Sequence, residues 1–375
     1  MLSKEELSRY SRHLLLEGFG KAAQEKLKAA KALVIGAGGL GCPVLSYLAA
    51  AGVGTIGIAD DDTVDESNLQ RQVLYSTDDV GKKKASTAAQ KLSRQNPFVK
   101  FIEHDVRIDT SNALEIFNGY DVVIDGSDNF ATRYLVNDAC VLLDKTLVFG
   151  SIHRFEGQVS VFNQLQDGKR GPTYRCLFPA PPAAGSVQDC AQAGVLGVLP
   201  GLIGTLQANE AIKVITGIGE TLTGKILLVD ALSMNFLSLE IKRTDSWKAI
   251  APPDAGSFKK TDYAFFCGTS HENVKSIGGK ELEHLLENGA GTVLLDVREE
   301  FEEPRLDEWK ALRIPLREIE ERLGLIPKDK RLVVFCRSGV RSRRAIEVLS
   351  QKGFSDLWNL EGGIEALQIY RDIAR

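Results

Sequence analysis

Apolar residues fall in short runs, separated by stretches in which apolar positions recur at helical spacing. Ala32–Ile35 reads as a strand, Gly36–Gly41 as a turn, Cys42–Ala51 as a helix and Thr55–Ala59 as the next strand. Residues 3–30, ahead of them, read as an amphipathic helical lead-in. Val122–Ile124 and Leu147–Phe149 are further buried strands, and Gln158–Phe162 and Lys225–Val229 are later ones around a helix at Leu202–Thr216. Strands that alternate with helices imply an α/β fold whose mostly parallel sheet is covered on both faces. The pattern breaks at Ala251–Phe258, "APPDAGSF", where Pro, Gly and Ala concentrate, so a linker is expected over 251–276. It then restarts with a helix at Gly279–Glu287, strands at Thr292–Asp296 and Arg331–Phe335, a helix at Ser342–Lys352, Trp358–Asn359 and a last helix. The expectation is a first domain over 1–250 and a smaller α/β domain over 277–375, large enough to fold alone.

Composition narrows the function classes. The 375 residues are 43% hydrophobic and 26% charged, which suits a globular protein with more than one core. A formal net charge of −4 gives no reason to expect nucleic acid or a membrane surface as partner. The opening MLSKEELSRYSRH is charged rather than apolar, unlike a secretory signal, and no apolar run approaches the ~18 residues of a membrane span. Six scattered cysteines (42, 140, 176, 190, 267, 336) with no CxxC spacing point to a reducing, cytoplasmic setting.

The first chemical signal is Gly36-x-Gly38-Gly39-x-Gly41, between a strand and a helix. Glycines there let backbone N–H groups and the helix N-terminus approach a phosphate. Asp60 ends the next strand about 20 residues on, where an acid can accept ribose hydroxyls. The pattern alone fits NAD, FAD or ATP, and a dehydrogenase is the plainer reading. What shifts the balance is the charge around it. A polar run, Ser67-Asn68-Leu69-Gln70-Arg71-Gln72, follows the second strand, Lys84 lies in "GKKKA", and Asp128-Asn129 follow the strand ending Ile124-Asp125. Arg9 and Arg12 lie in the lead-in. Arg and Lys can neutralise a triphosphate and Asp can help hold Mg²⁺, whereas hydride transfer needs neither.

Several motifs in order, "RYSRHLLL", "VIGAGGLGCP", "DDDTVDESNLQRQ", "VGKKKA", "DGSDNFATRYLVN" and "AGVLGVLPGLIGTLQANEAIK", closely resemble the MoeB/ThiF adenylyltransferases, relatives of the ubiquitin-activating enzymes. The resemblance covers roughly residues 1–245 and implies a Rossmann-like domain. It also implies ATP-dependent activation of the C-terminal Gly-Gly carboxylate of a small ubiquitin-like sulfur carrier, giving an acyl-adenylate and pyrophosphate. By position it assigns ATP contacts to Gly39, Asp60, Ser67, Asn68, Leu69, Gln70, Arg71, Lys84, Asp128 and Asn129, with Asp128 on Mg²⁺, and the glycine pattern itself adds Gly36, Gly38 and Gly41 as nucleotide-binding candidates. Arg12 matches an arginine that reaches the nucleotide of the other subunit of a homodimer. Arg71, Lys84, Arg12 and Mg²⁺ are the stabilisers expected as charge grows on the α-phosphate, and no protein nucleophile is needed for that step.

The cysteines have different prospects. Cys190 lies in "PPAAGSVQDCAQAGVLG", and the resemblance gives that position a cysteine able to attack the acyl-adenylate or receive sulfur; the plainer reading is an incidental loop thiol. Cys42 and Cys140 read as core residues on buried helix faces, since a free Cys packs as a small hydrophobe, and Cys267, in "YAFFCGT", reads as structural. Many relatives hold a structural zinc with two CxxC pairs. Here the first pair reads Thr173-Tyr174-Arg175-Cys176, and no cysteine lies near Trp247 to Pro253. One cysteine cannot build a tetrahedral site, so no zinc is expected, and other packing must hold that lobe.

In the rear domain "FCRSGVRS" places Cys336 where a strand hands over to a helix, followed by Arg337, Ser338, Gly339, Val340 and Arg341. Successive N–H groups and the helix N-terminus can converge on the sulfur there and favour its thiolate. The loop resembles that of rhodanese-like sulfurtransferases, and "TVLLDVREEFE" and "NLEGGIEAL" match further landmarks over about 277–375. The resemblance implies a persulfide on Cys336, with Arg337 and Arg341 orienting an anionic donor, and Asp296 and Arg298 bracing the fold. Cysteine phosphatases share the logic, but their CxxxxxR loop is one residue longer. The family's "GHIxGAxxIP" stretch is replaced here by "EEPRLDEWKALRIPL", which puts donor recognition in question more than the chemistry.

Together the halves suit one task. One makes a carboxylate electrophilic and the other carries nucleophilic sulfur, from thiosulfate or a cysteine desulfurase. The expected product is a carrier thiocarboxylate for molybdopterin, thiamin or related biosynthesis. An adenylyltransferase whose rear domain only docks a partner or senses redox state stands as the alternative.

Overall fold

The computed structural model describes residues 1–181, 194–267, 274–287, 291–300, 302, 304, 309–337 and 339–373. Its chain divides into two compact units, Met1–Thr269 and Ser270–Arg375. The lead-in is three short helices, α1 (Lys4–Arg9), α2 (Ser11–Leu14) and α3 (Gly20–Ala29), rather than one. Gly18 and Gly20, both at positive φ, interrupt the helical run.

Then come β1 (Lys31–Ile35), α4 (Gly41–Ala51), β2 (Thr55–Ala59), α5 (Lys84–Gln95), β3 (Lys100–His104), α6 (Ala113–Asn118), β4 (Val122–Asp125), α7 (Phe130–Leu142) and β5 (Thr146–His153). These strands pair in parallel in the order β5-β4-β1-β2-β3. The chain leaves β1 towards one edge and β4 towards the other, so the two meet at a topological switch point, with Ile35 opposite Asp125. A crevice opens beyond the carboxyl ends of strands at such a point. β1 serves both faces. Ala32 and Val34 join a core with Leu45, Leu48 and Leu92 of α4 and α5, while Leu33 and Ile35 join one with Phe117, Tyr134 and Val136 of α6 and α7. Cys42 and Cys140 lie in these two cores, fully buried.

The other half of the sheet is antiparallel. β6 (Glu156–Phe162) pairs with β5, a small hairpin of β7 (Leu165–Gln166) and β8 (Lys169–Arg170) follows, then α8 (Tyr174–Leu177) and α9 (Val198–Thr216). β9 (Lys225–Asp230) and β10 (Asn235–Glu240) extend the edge.

Much of the stretch expected as a linker over 251–276 is folded onto the first unit. α10 (Ala255–Lys260) is capped by Asp254, whose side chain accepts from the Ser257 N–H at 2.8 Å, and α11 (Tyr263–Phe266) follows. Phe258, Tyr263 and Cys267 are buried in the core around α7. The Pro and Gly content suggested a linker, but the aromatic side chains decide the outcome because each buries a large apolar area. Arg175 fastens this lobe. Its guanidinium holds Asp138 of α7 through two 2.7 Å bonds, stacks over Tyr134 and Phe266, and is 1% exposed; the Tyr263 hydroxyl donates to the same carboxylate at 2.7 Å. Cys176 lies beside it, its Sγ 3.7 Å from the Thr244 carbonyl.

The second unit contains β11 (Lys275–Ile277), α12 (Gly279–Glu287), β12 (Thr292–Asp296), β13 (Leu312–Arg313), β14 (Arg331–Phe335), α13 (Val340–Gln351), β15 (Leu357–Leu360) and α14 (Gly363–Ile373). Its five strands are all parallel, in the order β11-β15-β14-β12-β13. Alternate residues of β14 feed two cores, Leu332 and Val334 on one side and Val333 and Phe335 on the other. Arg298, wholly buried, forks onto Asp296 at 3.0 and 2.8 Å at the end of β12. Among the described residues no helix is long and apolar enough to cross a membrane.

Two outcomes follow. Arg175→Met leaves Asp138 buried without its cation and should destabilise the first unit by about 3–5 kcal/mol, read from its denaturant midpoint. Asp79, ahead of α5, is pushed up by burial, but hydrogen bonds from Lys91 and Ser76 outweigh this and hold it down to about 2. A depressed carboxyl stabilises above its unfolded pKa and loses that contribution as pH falls through the folded one. The stability gap between wild type and Asp79→Asn should therefore shrink as pH drops from about 4 to about 2.

Candidate functional site

A cleft of about 420 Å³ opens at the β1/β4 switch point, within the size range of small-ligand sites. Its floor is the turn after β1. Gly36 has φ +83°, and a Cβ there would lie 2.9 Å from the Gly126 carbonyl oxygen in the turn after β4. A Cβ on Gly39 would approach Pro200 of α9 at 3.1 Å. Gly36, Gly38 and Gly39 line the cleft. Gly41 does not: a Cβ on it would fall 1.9 Å from the Gly36 carbonyl oxygen, so it serves the close packing of α4 beneath the turn.

Asp60, at the end of β2, locks this turn. Its carboxylate accepts from the Ala37 N–H at 2.7 Å and the Asp62 N–H at 2.9 Å. Burial pushes its carboxyl above the usual range, and those N–H groups pull against the shift. Asp62 in turn holds the Lys84 ammonium at 2.6 Å. Lys84 is only 5% exposed, yet it sits on the wall of the cleft. An ammonium that deep needs a counter-charge, and Asp62 supplies one.

Of the polar run 67–72, Arg71 and Gln72 reach the cleft wall. The preceding four residues, all expected as nucleotide contacts, do not line it. Ser67 is bound to Asp65, the Asn68 carbonyl accepts from the Arg71 and Gln72 N–H groups, Leu69 packs on the core and Gln70 lies against Gly197. They shape the turn that presents Arg71, whose guanidinium donates back to the Ser67 carbonyl at 3.0 Å. Asp128 and Asn129 line the opposite wall; Asn129 also caps α7, accepting from the Thr132 N–H at 2.9 Å. Arg12, on exposed α2, is not on the wall of its own chain's cleft. Cys190 lies outside the described residues.

Several residues of the cleft wall were not anticipated. Arg107 and Ile108 follow β3 and close one side, and Arg133 of α7 stacks on Phe130 and Phe149. β3, "KFIEH", alternates too weakly to be read from sequence; once it is placed, its carboxyl end must reach the same crevice. Gln72 Oε1 and Arg133 Nε are buried without a protein partner. An acceptor and a donor are thus free on the wall for a polar ligand, which fits a nucleotide. Among the described residues no group of three or more His, Cys, Asp or Glu could hold a metal by itself.

In the second unit β14 ends just before Cys336, which is 1% exposed. The loop turns at Gly339, φ +91°, whose N–H points at Cys336 Sγ from 3.2 Å. The first turn of α14 is tied to this loop, with the Ile364 and Glu365 N–H groups donating to the Cys336 and Arg337 carbonyls at 2.9 and 3.1 Å. Both expected cations are engaged by acids. Arg341 forks onto Glu302 at 2.5 and 2.7 Å, and Arg337 meets Glu365 at 2.6 Å. The Glu302 hydrogen bonds raise the Arg341 guanidinium further, and they hold the Glu302 carboxyl low although burial opposes it. An anionic donor must compete with these carboxylates. Ser338 lies outside the described residues.

Comparison with known proteins matches one family to the front of the chain and another to the rear. The ThiF family matches residues 10–248, and the rhodanese-like domain family matches 279–369. A "Probable adenylyltransferase/sulfurtransferase MoeZ" of Mycobacterium tuberculosis is 45% identical over 373 residues, covering 97% of this chain and 93% of its own. A "Sulfur carrier protein adenylyltransferase" of Thermus thermophilus is 52% identical over 267 residues, covering 71% of this chain and 98% of its own. "Adenylyltransferase and sulfurtransferase MOCS3" of Mus musculus is 40% identical, covering 93% and 81%. Among solved structures, E. coli MccB with ATP aligns at a TM-score of 0.55 and 25% identity, over 64% of this chain and 73% of that one.

The glycine turn gives a direct test. Gly36→Ala forces a side chain to positive φ, at about 1–2 kcal/mol, and drives its Cβ into the Gly126 carbonyl. The expected result is a lower melting temperature together with weakened binding of phosphate compounds, both measurable by a thermal-shift titration.

Proposed function

The chain belongs to the ThiF family and carries a rhodanese-like domain behind that family's own, and on this footing we propose that it carries out two successive reactions on one small partner protein. It is an adenylyltransferase and a sulfurtransferase, as its full-length relatives are named. The partner is a ubiquitin-like sulfur carrier ending in Gly-Gly. The observation that carries the reading is that one chain holds both the glycine-turn cleft and the sheltered Cys336 loop.

In the first reaction the carrier carboxylate attacks the α-phosphorus of ATP, giving acyl-AMP and releasing pyrophosphate. Gly36, Gly38 and Gly39 let the phosphates approach the backbone, and Asp60 is placed to accept ribose hydroxyls. Arg71 and Lys84 stabilise the charge that grows on the phosphate oxygens. Lys84 exchanges Asp62 for phosphate as it does so. Asp128 would hold Mg²⁺ together with the nucleotide, and the ion would supply charge neutralisation at the phosphates. Arg12 serves the cleft of a second copy in a homodimer, in keeping with its exposed position outside its own cleft.

In the second reaction Cys336 carries sulfur. Its thiolate takes a sulfur atom from thiosulfate, releasing sulfite, or from the persulfide of a cysteine desulfurase. The persulfide attacks the acyl carbon, AMP leaves, and an acyl disulfide joins carrier and Cys336. The Cys190 thiolate then attacks the Cys336 sulfur, which forms a Cys190–Cys336 disulfide and frees the carrier as a thiocarboxylate. A dithiol reductant reopens the disulfide. The thiocarboxylate serves molybdopterin, thiamin or a related sulfur-inserting pathway.

Intact-protein mass spectrometry tests this. Enzyme, Mg-ATP and a sulfur donor are mixed with each small Gly-Gly-ending protein of the same organism. The expected partner exchanges one oxygen for sulfur, and Cys336→Ser abolishes that change while adenylation persists. A partner that gains only AMP would reduce the rear domain to docking or redox sensing. Lys84→Ala should slow carrier-dependent ATP–pyrophosphate exchange by about 10²–10³-fold, the scale for removing one transition-state charge stabiliser.

A further inference from the structure

Beneath Cys336 lies a buried polar pair with one idle donor. Ser342 Oγ is 2.6 Å from Asn359 Oδ1 and 3.6 Å from Cys336 Sγ. Ser342 and Asn359 are wholly buried, and Cys336 nearly so. Asn359 sits on β15 opposite Val334, two residues before the cysteine on the neighbouring strand. Its Nδ2 has no hydrogen-bond partner. That nitrogen lies against the loop, 3.5 Å from where a Cβ on Gly339 would be. A buried amide donor left unpaired is costly, so its retention here asks for a reason.

A hydroxyl has one proton, and Ser342 has two acceptors within reach. With Cys336 as a thiol, the S–H can donate to Ser342 Oγ while the Ser342 proton goes to Asn359 Oδ1. With Cys336 as a thiolate the sulfur must accept instead. If the Asn359 amide turns over, exchanging its oxygen and nitrogen, the idle N–H donates to Ser342 Oγ and the hydroxyl proton points at sulfur. The loop cations are already engaged, Arg337 by Glu365 and Arg341 by Glu302, so a neutral donor under the sulfur has work to do.

We infer that Ser342 and Asn359 are positioning residues that form a reversible hydrogen-bond relay under Cys336, supporting the thiolate that receives sulfur. The inference rests on the reading of Cys336 as the sulfur-carrying thiol. The relay reverses direction without passing a proton along; the thiol proton leaves to a base in solution. Ser342 and Asn359 lie on the buried side of the sulfur, so they act on the reacting thiolate rather than on capture of the donor.

The test uses the full chain, with steady-state sulfur transfer from thiosulfate to cyanide. Ser342→Ala should lower kcat by about tenfold, the scale of a hydrogen bond to a charged group, with KM for thiosulfate changed less than about twofold. Ser342→Thr, which keeps the hydroxyl, should restore kcat. Asn359→Leu should match Ser342→Ala, and the double variant should be no slower than the slower single one, because the pair acts as a unit. If Asn359→Leu does not fold, the Ser342 variants alone decide. Wild-type kcat in Ser342→Ala, a loss confined to KM, no rescue by Ser342→Thr, or additive losses would each overturn the relay. A wild-type enzyme that takes up no sulfur on Cys336 from thiosulfate or a cysteine persulfide would instead overturn the sulfur-carrier reading, and the relay with it.

Discussion

The first unit depends on the near-contact of two backbone turns. β1 and β4 lie side by side, and the turns that leave them cross so closely that neither has room for a side chain. A Cβ on Gly126 would lie 2.9 Å from the Ile35 carbonyl oxygen, and one on Gly36 would lie the same distance from the Gly126 carbonyl. Gly41 then lets α4 start directly beneath. This crowding is what brings the N-terminus of α4, Asp60 and Asp128 to a single crevice. The charged residues can be arranged around it because the backbone already fixes where the crevice opens.

The second unit meets a similar constraint with different geometry. A Cβ on Gly363 would strike the Arg337 and Cys336 carbonyl oxygens at 2.5 and 2.6 Å, and Gly339 occupies a left-handed conformation at φ +91°. Helices α13 and α14 both begin at this loop. Glycines thus bring helix ends together at a buried sulfur in one unit and at an open cleft in the other. On the proposed function, a nucleotide needs room to enter, whereas a thiol that carries one atom needs less.

Strands and motifs with strong local patterning were legible from the sequence. Thr55–Ala59, Thr292–Asp296 and Arg331–Phe335 lie where their apolar runs put them, because burial on both faces leaves little alternative. The glycine turn, Asp60, Lys84 and Asp128 were legible as residues of one cleft because each departs from what a core or a solvated surface requires. What escaped notice depended on partners distant in sequence. Arg175 reads as an unremarkable charge until Asp138, 37 residues away, is folded against it. Phe258 and Tyr263 looked like linker because Pro and Gly around them dominated the local composition. Ser67 to Gln70 belong to the nucleotide motif, yet they shape the turn instead of lining the cleft. Glu302 could not be paired with Arg341, 39 positions on, from spacing alone.

The burial of Cys336 has a consequence for timing. With about 1% of the residue exposed, a stray small thiol finds little of the cysteine sulfur to attack. On the sulfur-carrier reading, a persulfide there would be slow to lose its sulfur to stray thiols while staying within reach of small donors and acceptors such as thiosulfate and cyanide.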